Sequence, residues 1–327
     1  IVKVCRMTVR SLLVGVGSYL PERIVTNDEL SERLDTSDDW IRGRTGIRQR
    51  HIVGEGETAV SMGARAAQRA LDFAGIDPID VDAVILATST PDQVFPATAV
   101  RVMNDLGVKN GFGFDIAAAC SGFIYALSTA DAFIRAGNAK CVVVIGSEVY
   151  SRILDWSDRG TAVLFGDGAG AVVLRATDKP GEAGVLTTHL HADGSTGDIL
   201  YVDGAVGVPN CSAHLKMNGR EVFRHAVGKL ASSVDEALES VGMTYADVSW
   251  LVPHQANIRI IDGVARKLQM PKERVVVTVD RHANTSAASI PLALDEAVRD
   301  GRIKQGDLVL MEALGGGLTW GSALVRM

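Results

Sequence analysis

The feature that most constrains this chain is a helix–strand unit that occurs twice. One copy, CSGFIYALSTADAFIRAGNAKCVVVIGSE, begins at Cys120, and the other, NTSAASIPLALDEAVRDGRIKQGDLVLMEA, begins at Asn284. Each opens on small residues, runs through a helical apolar period to a glycine, and then enters an apolar run. The glycines fall at one offset, with 17 positions from Cys120 to Gly137 and 17 from Asn284 to Gly301. A second echo pairs GDGAGAVVL at Gly166–Leu174 with GLTWGSALV at Gly317–Val325, each a glycine-rich turn into an apolar strand. Two echoes in the same order predict a duplicated architecture. Taking Met7 as the first native residue, its halves are 7–176 and 177–327, with Cys120 and Asn284 at equivalent helix starts.

The rest of the chain agrees with repeated α/β units. Short β-branched runs at Ala83–Ala87, Cys141–Ile145, Trp250–Val252, Val275–Val279 and Leu308–Leu310 alternate with helical periods at Thr58–Ala74, Gly122–Ala136, Val222–Val241 and Ile258–Lys267. This alternation predicts an α/β fold with a mostly buried sheet. A chain of 327 residues, 47% apolar, is long enough to bury a large core. Its net charge of −6 argues against nucleic acid as a partner. Cys5, Cys120, Cys141 and Cys211 are widely spaced, which predicts neither a disulfide framework nor a structural zinc site, and a reducing cytoplasm as the location. No apolar run approaches the roughly 18 residues of a membrane span. The opening IVKVCRMTVRSLLVGVG reads as a first strand, since Leu12–Val16 is too short for a signal-peptide core.

Three residues could carry chemistry. Cys120 sits where small residues turn a strand into a helix, and the positive end of that helix is expected to favour the thiolate. His254 follows Trp250–Val252 and Pro253, at the carboxyl end of a strand, where α/β proteins place their ligand crevices. Asn284 opens the second repeat, with His282 as a competing base on the same loop. Singly, each has a plain alternative: a buried small hydrophobe, as for Cys5, Cys141 and Cys211; a structural histidine; a helix N-cap. The run Gly315–Gly317 can aim backbone N–H groups at an oxyanion or merely turn the chain. GDGAG at Gly166–Gly170 lacks the Lys-Ser/Thr of a phosphate loop and reads as close packing. His189 and His191 resemble metal ligands but read better as a strand edge, so no metal is expected.

Taken together, the segments resemble the β-ketoacyl-[acyl-carrier-protein] synthase III family. The matching stretches are TSDDWIRGRTGIRQRH from Thr36, AACSG from Ala118, RGTAVLFGDGAGA from Arg159, LVPHQANIRI from Leu251, RHANTSAAS from Arg281 and GGGLTWGSALV from Gly315. The resemblance implies a thiolase-like fold, a duplicated five-layer αβαβα homodimer. It implies a decarboxylative condensation of a short acyl-CoA, acetyl-CoA by expectation, with malonyl-acyl carrier protein, starting fatty acid synthesis through an acyl-cysteine, with no cofactor. It places the nucleophile at Cys120 and the decarboxylating pair at His254 and Asn284. The family's elongating relatives use Cys-His-His, and thiolases use a second cysteine that this chain lacks after His254.

The same resemblance implies an oxyanion hole from the N–H groups of Cys120 and Gly316. It implies a nucleotide site at Trp40, Arg44 and Arg159, and an acyl pocket closed across the dimer by Phe95. For the carrier protein it implies contacts at Arg224, Gln255, Arg259, Arg266 and Lys267, with Lys272 and Arg274 nearby. A thioester hydrolase, a non-catalytic carrier-binding module and a starter synthase of a secondary pathway are the competing readings.

Overall fold

A computed structural model describes residues 9–179, 181, 183–204 and 211–327, so Cys5 and Met7 lie outside the described residues. Two sheets carry the architecture. The first has five strands in the order Arg10–Tyr19, Asp167–Thr177, Cys141–Val149, Ala83–Ala87 and Phe112–Ile116. Its last three strands are parallel, and Asp167–Thr177 runs antiparallel to both its neighbours. The second has four, in the order Trp250–Pro253, Leu308–Gly315, Thr319–Arg326 and Gly184–Ala192, of which the first two are parallel.

The two repeated helices, Gly122–Arg135 and Ser289–Arg299, lie between the sheets. Phe123, Ile124 and Leu127 are fully buried there among Val144, Ile290 and Met311, each contributing about 1.5–3 kcal/mol by leaving water. Helices Ala59–Ala74 and Thr98–Leu106 cover the far face of the first sheet. Helix Gly219–Ser240, backed by Ile258–Lys267, covers that of the second. The order is helix, sheet, helix, sheet, helix, the five-layer arrangement of a thiolase-like fold.

Local chemistry explains the boundaries. Thr58 and Ser61 form a reciprocal capping box at the start of Ala59–Ala74, and Gly75, at φ 64°, ends that helix. Every residue of Cys141–Val149 is buried, as expected for a strand covered on both faces. Small residues let the central helices press onto the sheet. A Cβ on Gly146 would lie 2.3 Å from Ala287 O, and one on Gly170 would lie 2.6 Å from Leu292 N. The GDGAG segment is therefore close packing, as its sequence suggests.

One expected strand is absent. Val275 makes only an isolated bridge to Leu251, and Val279 begins the short helix Val279–His282. The Gln255 side chain replaces the ladder here: its Oε1 accepts from the N–H groups of Thr278 and Val279, and its Nε2 donates to Val276 O. The two repeats also differ in detail. Cys120 lies within the turn Ala119–Ser121, directly before Gly122–Arg135, whereas Asn284 precedes a further turn, Ser286–Ala288, before its helix begins at Ser289.

Candidate active site

Cys120 follows the strand Phe112–Ile116 through the alanine turn Ala117–Ala119. Ala119 has φ 44°, a left-handed conformation that costs alanine on the order of 1 kcal/mol. The turn abuts the end of Leu308–Gly315: a Cβ on Gly315 would lie 2.6 Å from Cys120 N. Only glycine leaves room for that approach.

The second sheet delivers His254. Its N–H donates to Glu312 O at 2.8 Å, extending the parallel pairing of Trp250–Pro253 with Leu308–Gly315. The ring Nδ1 lies 2.7 Å from Ser289 Oγ, and that oxygen accepts the Gln255 N–H at 3.3 Å. With one lone pair so engaged, the serine hydroxyl is free to donate to Nδ1. That assignment leaves the imidazole proton on Nε2.

Asn284 is pinned by its backbone. Its N–H donates to Leu164 O and its C=O accepts from Gly166 N–H, each at 3.0 Å. Its Oδ1 accepts the Ser286 N–H at 2.9 Å, so the Nδ2 amide is the polar group left for the cavity. The segment Arg159–Val172 is thus the wall that holds Asn284.

Cys120 stands between two cavities. A narrow one, about 80 Å³, is lined by Cys120, His254, Asn284, Glu312, Met217 and Val222 among others. A wider one, about 460 Å³, is lined by Ala117–Ala119, Cys120, Tyr150, Leu215 and Gly316 among others. The three candidate residues thus share one cleft, and Gly316 lines the wider cavity with Cys120.

The cleft is electrically quiet. Burial pushes the Cys120 thiol up to about 12; Ser286 and Tyr150 favour the thiolate, while the nearby Glu148 carboxyl opposes it. Desolvation of the buried sulfur thus opposes the thiolate that the helix start is expected to favour. Burial lowers His254 to about 3, so its ring is neutral. Burial raises Glu312 to about 8 and Glu148 to about 7.

The nucleotide-site candidates do assemble. Ser37 caps helix Asp38–Thr45, which presents Trp40 with the guanidinium carbons of Arg44 and Arg159 5.1 and 4.8 Å from its ring. Arg259 donates to Gly43 O at 3.0 Å, and Asn257, the cap of Ile258–Lys267, lines the narrow cavity. The tryptophan cluster therefore sits beside the cleft. Arg224, Arg259, Arg266, Lys267, Lys272 and Arg274 are exposed. Phe95 is 83% exposed, beside exposed Val94.

Gln255 departs from expectation. It is fully buried with its amide satisfied by Pro253, Val276, Thr278 and Val279, so it braces the His254 loop and offers the surface nothing. His282 is no competing base: it packs against His51, lies 3.5 Å from Glu296 and lines neither cavity. Cys141 is buried at a strand start and Cys211 is half-buried. His189 and His191, on an edge strand, pair with Glu236. Sequence reasoning missed Ser289 and Glu312, although Ser289 closes the NTSAAS motif and Glu312 precedes the glycine run.

Two family models match the chain, 3-oxoacyl-[acyl-carrier-protein] synthase III over residues 114–194 and its C-terminal counterpart over 238–327. The chain is 67% identical to the β-ketoacyl-[acyl-carrier-protein] synthase III of Acidiphilium cryptum, covering 97% of this chain and 99% of that one. It is 64% identical to the enzyme of the same name from Granulibacter bethesdensis, covering 97% and 99%. The crystal structure of the Aquifex aeolicus 3-oxoacyl-[acyl-carrier-protein] synthase III superposes with a TM-score of 0.92 at 48% identity, covering 97% of this chain and 100% of that one. Identity of this order along nearly the whole length, on a shared five-layer fold, makes the chain a member of the β-ketoacyl-[acyl-carrier-protein] synthase III family, the condensing enzymes that initiate fatty acid synthesis.

Proposed function

We propose that this chain primes from acetyl-CoA in two half-reactions centred on Cys120. In the first, the sulfur attacks the acetyl thioester carbonyl and the acyl-enzyme forms as CoA thiol departs. The N–H groups of Cys120 and Gly316 stabilise the tetrahedral oxyanion, donors of a kind worth about 3–4 kcal/mol. In the second, malonyl-acyl carrier protein enters the cleft and loses CO₂. The Nε2–H of His254 and the Nδ2 amide of Asn284 hold the thioester oxygen as it becomes an enolate. The enolate carbon then attacks the acetyl carbonyl and breaks its bond to Cys120, so that the sulfur leaves, regains a proton and releases the 3-oxoacyl-carrier. Decarboxylation itself supplies the carbanion, so the reaction needs no cofactor beyond its two thioester substrates.

The observation that carries this reading is Cys120 standing between two cavities, sharing the narrow one with His254 and Asn284. The slot holds only a few water-sized groups, too little for a nucleotide, which agrees with an adenine site outside it at Trp40, Arg44 and Arg159. The wider cavity would receive the acyl group. Exposed Phe95 and Val94 favour a homodimer that covers them, with Phe95 reaching the partner's acyl pocket. Arg224, Arg259, Arg266 and Lys267 would meet the acidic carrier protein in the cytoplasm. We also assign the two thiolase-like halves, 7–176 and 177–327, to the two sheets.

Intact mass after incubation with acetyl-CoA alone tests the reading. A single acetyl adduct on the wild type and none on Cys120→Ser is the expected result. No adduct with acetyl-CoA, but one with longer acyl-CoAs, would overturn the acetyl primer.

A further inference from the structure

Glu312 is, among the described residues, the one titratable group of the cleft wall that the proposed roles leave unused. It is 1% exposed, and its Oε2 is buried without a hydrogen-bond partner. An orphaned buried carboxyl oxygen is costly and calls for a reason. The other groups facing the cleft do not provide its partner. The turn contributes Cys120, the end of Trp250–Pro253 contributes His254, and the loop before Ser289 contributes Asn284. The two covering helices contribute only Gly219, Val222, Ala226, Leu230 and Ile260. Among the described residues no cation faces Glu312 there, and none of them favours its anion.

We propose that Glu312 acts as a neutral carboxylic acid that donates a hydrogen bond to the carboxylate of the malonyl group, selecting a carboxylated thioester for the second half-reaction. The proposal rests on the malonyl step of the reading above. A carboxylic acid has one O–H to donate, and a carboxylate is its strongest natural acceptor in a dry cleft. The primer has no such group, so acetylation of Cys120 does not call on Glu312. Were Glu312 ionised, it would repel the malonyl carboxylate across the same cavity. The residue is thus a specificity element for the extender thioester.

The test uses the full-length enzyme and its variants Glu312→Leu and Glu312→Gln. Acylation by acetyl-CoA, read by intact mass, reports a folded site. Steady-state kinetics with malonyl-carrier then give KM and kcat from pH 6 to above 9. In Glu312→Leu the KM for malonyl-carrier should rise roughly 10- to 100-fold, the range for a hydrogen bond to a charged group. Glu312→Gln, which keeps a neutral donor, should restore most of that loss. The wild-type KM should rise once pH passes about 8, where Glu312 ionises, and the glutamine variant should not share that rise. An unchanged KM in Glu312→Leu overturns the proposal; where the leucine variant misfolds, matching pH profiles for wild type and Glu312→Gln overturn it. A wild type that neither acetyl-CoA nor a longer acyl-CoA acylates would instead refute the reading of Cys120.

Discussion

Replacing Ser289 with alanine separates the two half-reactions. Ser289 Oγ lies 2.7 Å from His254 Nδ1 and takes the Gln255 N–H at 3.3 Å, in a position only 2% exposed. The substitution keeps the Cβ, so packing changes little. It removes the group that holds the imidazole proton on Nε2, and it leaves a buried N–H without an acceptor. A neutral hydrogen bond is worth about 1 kcal/mol and an orphaned buried donor about 1–3 kcal/mol. If Nε2–H stabilises the enolate, roughly 1.5–3 kcal/mol falls on the malonyl step, a rate loss of about 10- to 150-fold. Acylation of Cys120 does not use that donor and should change by less than about threefold, within 0.7 kcal/mol. Rapid-mix intact mass gives the acylation rate, and CO₂ release from malonyl-carrier on the pre-acetylated enzyme gives the second. Nitrogen chemical shifts of labelled His254 report the tautomer, which a purely structural serine would not move. Equal losses in both half-reactions, or normal CO₂ release with an unchanged tautomer, would refute the reasoning.

Two further outcomes follow from the same geometry. Trp40→Ala should raise the KM for acetyl-CoA by about 2- to 30-fold, the worth of a lost stacking platform with two guanidiniums upon it; priming from acetyl-pantetheine, which lacks the nucleotide, should be unaffected. Stability should also fall with pH in a way that Glu312→Gln relieves. Burial raises the folded carboxyl from 4.5 to about 8, so the native state holds a proton that the unfolded chain releases. Its contribution is complete below pH 4.5 and is lost as pH climbs towards 8. Thermal denaturation should therefore show the wild-type Tm falling between pH 5 and 9 more steeply than that of the variant, and parallel curves would count against a buried neutral Glu312.

The duplication was legible because it is written in glycine spacing and apolar period, which local backbone geometry imposes. That Cys120, His254 and Asn284 would meet in one cleft was legible as well, since each ends a strand or starts a helix where a crevice forms. The failures have one physical source. Gln255 lies in a polar loop and reads as surface, yet its amide replaces a missing strand ladder at Val276–Val279, a contact formed only when distant segments meet. The Val275–Val279 run has strand propensity, and that same side chain overrides it. Glu312 occupies a strand that reads as core, where a carboxyl carries no local sign of the cavity it faces. The thiol misled for a related reason: a helix start is visible in sequence, whereas the depth at which the sulfur is buried is not.

That depth suits the chemistry proposed for the site. With Cys120 at about 12, His254 at about 3 and Glu312 at about 8, the groups facing the narrow cleft are uncharged near neutral pH. The only full charge in the cleft during the second half-reaction would then be the substrate's, first on its carboxylate and then on the enolate. Fixed neutral dipoles act strongly on such a charge in a dry site, because no counter-ion competes and little solvent screens. A cation in place of His254 would grip the malonyl carboxylate far more strongly than the single hydrogen bond assigned to Glu312, and would stabilise the ground state against loss of CO₂. A neutral donor pair aimed at the thioester oxygen instead strengthens only as charge arrives there. The same dryness makes a standing thiolate costly, so the sulfur gives up its proton as it attacks the primer, and that proton leaves on the CoA thiol.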